Sequence, residues 1–239
     1  MHVLVDYDNI PVLLRKFGPR YVADRICSAL GHTPLNAVVA NPRLAIRFYG
    51  GWYSGATLSP AGQSLSADLA RVFPFILRVA SSGGPFPITV SGELADALLI
   101  LPKRTLDHTF RQRATAGRVA CSHPHAAGCT TTPCVLEPMY DFFQSGTCPQ
   151  PGCSLRIRDL VLGRSEQKLV DTMIVADLIH LSHTGETEVA VVTADDDVWP
   201  GVITGMQAGA HIVHIWPKHY RASPRYLRGV PGLYSAVAF

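Results

Sequence analysis

Aspartates occur in three short segments that lie far apart in the chain and adjoin apolar runs. Residues 6–9 (Asp-Tyr-Asp-Asn) follow a mainly apolar run, residues 193–197 (Thr-Ala-Asp-Asp-Asp) follow another, and residues 168–171 (Lys-Leu-Val-Asp) open a third. In an open parallel sheet the carboxyl ends of the strands line one crevice, and ligands bind there. Carboxylates gathered in that crevice repel one another unless a cation neutralises them, and such oxygen ligands suit Mg²⁺ or Mn²⁺. The pattern therefore predicts a metal-dependent phosphoryl-transfer site.

Alternating strands and helices are predicted to position these segments. Short β-branched runs predict buried strands, and apolar residues at helical spacing predict helices. Because strands alternate with helices, the predicted fold class is α/β, with a doubly wound, mostly parallel sheet and Rossmann-like layering. The predicted strands are residues 2–5, 44–49, 75–79, 95–101, 155–158, 189–193 and 211–215, and the predicted helices are residues 11–30 with a break at 18–19, 59–72, 166–181 and 200–208.

Composition indicates one folded α/β domain that carries an insertion. The chain has 239 residues, of which 47% are hydrophobic and 16% are charged, so it can bury a sizeable core. The predicted main domain comprises residues 1–80 and 155–239, and residues 81–154 form the predicted insert. No apolar run approaches the roughly 20 residues that span a bilayer, and no secretory signal precedes the first strand. We therefore expect a cytoplasmic protein.

The acidic segments resemble, in order and approximate spacing, the motifs of the NYN family of PIN-like nucleases. In that family an apolar strand ends in Asp-x-x-Asn, a helix opens with Lys-Gly-Val-Asp, and a later strand ends in Ser/Thr-x-Asp-x-Asp-Phe near a proline. The matching segments here begin at Asp6, Lys168 and Thr193. The resemblance extends over residues 1–80 and 164–216. It implies a PIN-like fold for the main domain.

The same resemblance implies a function and a set of site residues. The implied activity is that of a divalent-metal-dependent endoribonuclease, which hydrolyses RNA phosphodiester bonds with Mg²⁺ or Mn²⁺. The asparagine is expected to orient the first aspartate or the phosphate. The implied catalytic residues are Asp6, Asn9, Asp171, Asp195 and Asp197, and the four aspartates are the implied metal ligands.

Several nearby residues bear on these implied roles. Leu169 stands where the family has glycine, and Trp199 lies in the Val-Trp pair that replaces its phenylalanine. Lys168, one helical turn before Asp171, either pairs with that acid or contacts substrate phosphate. Asp177, further along the same helix, is expected to be an ordinary polar position, and the alternative is a peripheral metal ligand.

Other interpretations of the acidic segments stay open. An aspartate at a strand end or helix start can simply cap the helix, and a catalytically silent module that binds nucleic acid could keep the fold. Residues 6–8 also resemble the Asp-x-Asp opening of haloacid-dehalogenase-like phosphatases, in which one aspartate is the nucleophile. The residues that follow, Ile10 and Pro11, fit those phosphatases poorly, and so do Lys168 and Asp171 on one helix.

Cysteine and histidine are concentrated between residues 121 and 153 of the predicted insert. Structural zinc is held by four Cys or His ligands in paired arrangement. Without a secretory signal, clustered cysteines favour metal binding over disulfides. The alternative is a loop with reduced, unligated thiols. The predicted Zn²⁺ ligands are Cys129, Cys134, Cys148 and Cys153, with Cys121 and His123 as alternatives.

Basic residues flank the insert and predict contacts with a phosphate backbone. The net charge of +3 does not by itself indicate nucleic-acid binding. A rim of arginines could follow a backbone without reading its sequence, and the alternative is a solvated basic surface. Basic residues and tyrosines within 218–228 are predicted to clamp a single strand of RNA. The predicted substrate-binding residues are Lys168, Arg156, Arg158 and Arg164.

Overall fold

The chain divides into two units, and both ends of the sequence contribute to the first. A computed structural model describes residues 1–31, 43–79, 86–114, 122–156, 163–217 and 232–238. The first unit comprises Met1–Phe110 and Gln167–Phe239, and the second comprises Arg111–Glu166. The second unit is therefore shorter than the predicted insert, because the chain before Arg111 still contributes a strand to the main sheet.

Strands and helices alternate along most of the first unit, as the sequence predicts. The strands are β1 (His2–Asp6), β2 (Arg43–Tyr49), β3 (Tyr53–Ser54), β4 (Thr57–Leu58), β5 (Phe75–Val79), β6 (Phe86–Leu94), β7 (Phe110–Ala114), β8 (Gly163–Gln167), β9 (Glu188–Val192), β10 (His211–Trp216) and β11 (Tyr234–Ala238). The helices are α1 (Val12–Arg15), α2 (Gly18–Leu30), α3 (Pro60–Val72), α4 (Glu137–Ser145), α5 (Val170–His183) and α6 (Trp199–Gln207).

Seven strands form the central sheet, in the order β11-β10-β9-β1-β2-β6-β5. Every neighbouring pair is parallel except β5 and β6, which are antiparallel. The predicted α/β class with a mostly parallel sheet is thus confirmed. In such a sheet the carboxyl ends of β1 and β9, which are direct neighbours, lie at the same edge.

Both faces of this sheet are covered, because successive side chains of a strand point to opposite sides. In β1, Val3 and Val5 pack in one core with Val22 of α2 and Leu65 of α3. Leu4, between them, packs in a second core with residues of α5 and α6. A strand buried on both sides has a continuous apolar sequence rather than an alternating one, which is why β1 and β9 could be predicted.

The predicted strand over residues 95–101 is wrong, and β6 lies just before it. Pro87 has no N–H to donate, and it pairs with Arg78 of β5 alone, because the described pairing of β6 with β2 on its other side begins at Thr89. Gly92 is required by packing: a Cβ there would lie 2.8 Å from the ring of Phe73. Proline and glycine weaken the sequence signal of a strand. The apolar residues that follow β6 were therefore mistaken for it.

The predicted start of the helix over residues 166–181, which corresponds to α5, is also wrong. Glu166 belongs to β8, and α5 begins at Val170. Leu169 precedes the helix in a left-handed conformation, with φ of 66°. A residue in that conformation cannot continue an α-helix toward its amino end.

The edge strand β11 was not predicted from the sequence. Near the start of β10, the Ser235 hydroxyl of β11 and His211 Nε2 are 2.6 Å apart, and His211 Nδ1 is 3.1 Å from Glu188 Oε1 of β9. This chain of contacts joins β11, β10 and β9 across the sheet.

None of the described helices is long and apolar enough to cross a membrane.

The second unit contains α4 and most of the two-stranded sheet of β7 and β8. Of the strand predicted over residues 155–158, Arg156 makes an isolated antiparallel bridge with Thr147. Residues 157 and 158 lie outside the described residues.

Candidate metal centre

Three carboxylates converge at the carboxyl edge of the sheet in the first unit. Asp171 lies in the first turn of α5, and Asp195 and Asp197 follow β9. One oxygen from each lies within 4.8 Å of the others, and no further group of at least three potential ligands is this close among the described residues. Two oxygens bound on opposite sides of one Mg²⁺ would be about 4.2 Å apart. The donor set therefore fits a single hard cation.

Asp6 is buried and does not belong to this group of three carboxylates. Its side chain is 1% exposed, and it is not one of the three carboxylates within 4.8 Å of one another. The Asn9 amide donates a hydrogen bond to Asp6 Oδ2, which is the orienting contact that the family resemblance implies. Burial raises the pKa of Asp6. Of the four predicted metal ligands, three are gathered, while Asp6 is buried with its charge acting on Asp171, so its role as a ligand stays a prediction.

Thr193 connects the two aspartate segments, although the sequence analysis gave it no role. Its buried hydroxyl donates to Asp6 Oδ2 at 3.0 Å and accepts from the backbone N–H of Asp195 at 3.0 Å. The sequence signal was a hydroxyl residue placed directly after the apolar strand β9. Such a residue must find hydrogen-bond partners in the interior.

Removing the hydroxyl of Thr193 is expected to weaken both the fold and the site. Thr193→Val keeps the shape of the side chain but removes one of the donors to Asp6, which retains Asn9, and leaves the Asp195 N–H without an acceptor. We expect a loss of about 2 kcal/mol in the free energy of unfolding, together with reduced Mn²⁺ binding. Urea unfolding and Mn²⁺ titration measure the two effects, and Thr193→Ser is the matched control that should restore both. Wild-type behaviour of the valine variant would contradict this role.

The three carboxylates repel one another in the absence of a cation. Burial, followed by the charges of Asp6, Asp195 and Asp197, raises the pKa of Asp171 to about 6. A nearby divalent cation would reverse this effect by favouring the charged form. The cluster therefore has the electrostatics of a cation site, whereas a capping aspartate near a helix start would be stabilised in its charged form.

The other acidic residues of these segments have separate partners. Asp8 forms an ion pair with Arg15, at 2.9 Å between Oδ1 and Nη1. Asp196 accepts a hydrogen bond from the indole N–H of Trp199 at 3.2 Å. Trp199 is buried in the second core, so it packs the turn that carries Asp195 and Asp197.

Leu169, which replaces the glycine of the resembling family, has a backbone conformation that favours glycine. Its φ of 66° lies in the left-handed region, which costs a residue with a Cβ roughly 1–2 kcal/mol. The strained residue lies two positions before Asp171. The backbone is thus held in a conformation that glycine adopts readily.

A pair of variants at position 169 isolates this strain. Leu169→Gly and Leu169→Ala both remove the leucine side chain, which is 47% exposed, but only the alanine keeps a Cβ. We expect the glycine variant to be more stable by about 1 kcal/mol. Urea unfolding measures the difference. An alanine variant that equals or exceeds the glycine variant in stability would contradict the left-handed assignment.

Asp177 is a buried bracing residue, so its interpretation as an ordinary polar position is wrong. It is fully buried, accepts a hydrogen bond from the Tyr49 hydroxyl at 2.6 Å and accepts another from the Leu99 N–H at 2.8 Å. Arg47 Nε lies 3.9 Å from Asp177 Oδ2, the oxygen that accepts from Tyr49. These contacts fasten α5, and with it Asp171, to β2.

His214 and Tyr234 support the site from β10 and β11. His214 Nε2 is 3.2 Å from the carbonyl oxygen of Thr193, and its Nδ1 is 3.1 Å from the Tyr234 hydroxyl. Because a carbonyl only accepts, Nε2 carries the proton and Nδ1 accepts from the tyrosine. Burial lowers the pKa of His214 to about 4, so the imidazole stays neutral near pH 7. The neighbouring strands β10 and β11 thereby fix the position of Thr193 at the end of β9.

The second unit brings together two of the predicted zinc ligands. Cys129 Sγ and Cys134 Sγ are 3.3 Å apart, compared with the roughly 3.8 Å expected across a tetrahedral zinc. Hydrogen bonds, chiefly from the backbone of Thr131, lower the pKa of Cys129. Within the described residues, Cys148 and Cys153 do not join this pair in a group of three or more. Of the alternatives, His123 lies 3.6 Å from Glu137, and Cys121 lies outside the described residues.

The predicted substrate-binding residues are only partly described. Lys168 is partly buried, and its backbone N–H donates to the Thr109 carbonyl at 2.9 Å. Arg156 is exposed in the second unit. Arg158, like the predicted basic clamp at 218–228, lies outside the described residues, and of Arg164 only the backbone, in β8, is described. Contact of these side chains with RNA stays a prediction.

The chain was also compared with known proteins. No protein-family model, curated protein or solved structure matches it. The functional interpretation therefore depends on the geometry above and on the resemblance of the short acidic motifs.

Proposed function

We propose that the protein is a divalent-metal-dependent nuclease of the NYN and PIN-like type, and that its substrate is RNA. The observation that carries this proposal is the convergence of Asp171, Asp195 and Asp197 within 4.8 Å at the carboxyl edge of the sheet. The raised pKa of Asp171 supports it, because burial and the neighbouring carboxylates disfavour its charge and a bound cation would favour it. The choice of RNA over DNA follows from the family resemblance.

The chemistry assigned to the protein is the positioning of charge. A bound Mg²⁺ or Mn²⁺ would neutralise phosphate oxygens and lower the pKa of a water molecule for attack on phosphorus. Asp171, Asp195 and Asp197 would hold the ion. The buried Asp6 adds negative charge next to Asp171. Thr193 fixes the distance between the ends of β1 and β9 through its two hydrogen bonds.

The geometry favours the nuclease over the phosphatase interpretation. In the phosphatase interpretation, Asp8 would be the acid and base next to a nucleophilic Asp6. Asp8 is instead paired with Arg15, and Asp6 is buried and occupied by hydrogen bonds from Asn9 and Thr193. A buried carboxylate with these partners is poorly placed to attack a phosphate.

RNA cleavage with matched aspartate variants tests the proposal. Purified wild-type protein is incubated with end-labelled single-stranded RNA in Mn²⁺ or in EDTA. We expect cleavage with Mn²⁺ only, its loss in Asp195→Asn, and its retention in Asp196→Asn, which keeps an acceptor for Trp199 and lies outside the cluster. Equal cleavage by Asp195→Asn and wild type would overturn the proposal. Hydrolysis of a phosphate monoester without RNA cleavage would favour the phosphatase.

We further propose that the cysteines of the second unit bind a structural Zn²⁺. The support is the Cys129 and Cys134 pair, whose sulfurs are 3.3 Å apart. Elemental analysis of the purified protein should give about one zinc per chain, since one tetrahedral site holds one ion. Cys134→Ser should lose the zinc, whereas Cys27→Ser, which changes the buried cysteine of α2, should keep it. Less than about half a zinc per chain would contradict the site.

A further inference from the structure

Large apolar side chains are exposed on α1 and at the start of α2. The exposed fractions are 58% for Val12, 71% for Leu13 and 69% for Phe17, and Tyr21 is also exposed at 36%. The rings of Phe17 and Tyr21 are adjacent, with centroids 5.0 Å apart and planes inclined by 46°. Isolated exposed apolar residues are ordinary, but a contiguous group indicates a binding surface.

This surface lies at the same edge of the sheet as the metal centre. The helices α1 and α2 come between the parallel neighbours β1 and β2, so α2 starts where β1 ends. Arg15 of α1 is joined to Asp8, two residues after Asp6, by the 2.9 Å ion pair. The exposed aromatic pair is therefore anchored beside the strand end that carries the buried aspartate.

The charge of this segment complements a phosphate backbone. Residues 12–25 contain four basic side chains and one acidic side chain, a net charge of +3, the same as that of the entire chain. Arg15 and Arg20 are engaged with Asp8 and Asp24. Lys16, directly after α1, and Arg25 of α2 are exposed. Basic side chains next to exposed aromatic rings are typical of surfaces that bind single-stranded nucleic acid, because bases stack on the rings.

We propose that Phe17 and Tyr21 form a base-stacking platform for single-stranded RNA at the edge of the sheet that carries the metal centre. The proposal rests on the nuclease function and adds the strandedness of its substrate. Stacking uses the face of a base, which every base presents, so the platform would bind without strong sequence preference. In a duplex the base faces are already stacked on one another, so double-stranded RNA would gain little from these rings.

The test measures RNA binding separately from cleavage. Fluorescence anisotropy of a labelled 12-nucleotide single strand is followed with the full-length protein in EDTA, which withholds the divalent ion. We expect Phe17→Ala to weaken binding about tenfold, in the range measured for one stacked base. Phe17→Leu should weaken it similarly, because leucine is apolar but cannot stack. Leu13→Ala is the matched control, and we expect less than about a twofold change, because Leu13 offers no ring.

Each alternative has its own outcome. Unchanged affinity of Phe17→Ala, or no measurable binding of the single strand by wild type, would overturn the platform. A surface made for a second copy of the chain would give a wild-type dimer in sedimentation that both Phe17→Ala and Leu13→Ala dissociate, and this result would overturn it too. If the single strand binds through Phe17 but Mn²⁺ produces no cleavage, the nuclease proposal fails while the platform stands.

Discussion

Replacing Asp171 with asparagine is expected to abolish Mn²⁺-dependent RNA cleavage while making the metal-free protein more stable. The loss of activity should be on the order of a thousandfold, because the cation that would neutralise the reacting phosphate loses one of its three carboxylate ligands. The gain in stability follows from the pKa of about 6, since the charged carboxylate is disfavoured by burial and by the charges of Asp6, Asp195 and Asp197. One pKa unit corresponds to 1.36 kcal/mol, so we expect a gain of about 2 kcal/mol at pH 7 in EDTA.

The pH dependence of this gain gives an independent check. A carboxyl group whose pKa is raised in the folded protein binds protons more readily there than in the unfolded chain. Its unfavourable contribution is therefore present above pH 6 and disappears as the pH falls from about 6 toward 4. The stability difference between Asp171→Asn and wild type should shrink between pH 7 and pH 5. His214, whose pKa is lowered, is present in both proteins, so its opposite effect cancels in the difference.

Urea unfolding in EDTA at the two pH values measures the difference directly. The contradictory outcome is an Asp171→Asn variant that is less stable than wild type at pH 7. That result would indicate that Asp171 acts as a favourable helix cap, worth up to about 1 kcal/mol, and that the carboxylates are not crowded.

Replacing Asp177 with alanine is expected to cause a large loss of stability. The variant leaves the Tyr49 hydroxyl and the Leu99 N–H without their acceptor and Arg47 without its buried counter-charge. Breaking a buried charged network of this kind costs about 3–5 kcal/mol. Because the network fastens α5, we also expect weaker Mn²⁺ binding at Asp171.

Two further variants separate the parts of this network. Tyr49→Phe removes one hydrogen bond and should cost about 1–3 kcal/mol. Asp177→Asn keeps an oxygen acceptor and should lie between Tyr49→Phe and Asp177→Ala. Urea unfolding measures all three. If Asp177→Ala costs less than about 1 kcal/mol, the residue behaves as an exposed polar position and its bracing role is contradicted.

Local patterns were sufficient to predict the elements that are buried on both faces of the sheet. The apolar runs of β1 and β9 indicate strands buried on both faces, and the aspartates next to those runs marked the strand ends. The strand β6 was missed because Pro87 and Gly92 weaken its sequence signal, and the reasons for both residues lie in distant neighbours. Pro87 lies beyond the described pairing with β2, and Gly92 packs against the ring of Phe73.

The candidate site could be predicted where its residues carry charge, but not where they act through distant partners. Four aspartates were expected to meet, and three of them, Asp171, Asp195 and Asp197, lie within 4.8 Å of one another, whereas Asp6 is not in that group. The bond from Thr193 to Asp6 spans 187 positions, and the bond from Tyr49 to Asp177 spans 128. No local pattern encodes such pairs. The left-handed Leu169 was noticed only as a departure from glycine, because leucine gives no sign of a positive φ.

Direct measurement of Mn²⁺ binding by electron paramagnetic resonance tests the central claim that three converging carboxylates hold one cation. Wild-type protein, after treatment with EDTA and dialysis, should bind one Mn²⁺ per chain at this centre. Asp195→Asn should lose that binding, and Asp196→Asn, altered at the adjacent position outside the cluster, should retain it. Absence of binding in wild type, or equal binding by the two variants, would contradict the claim.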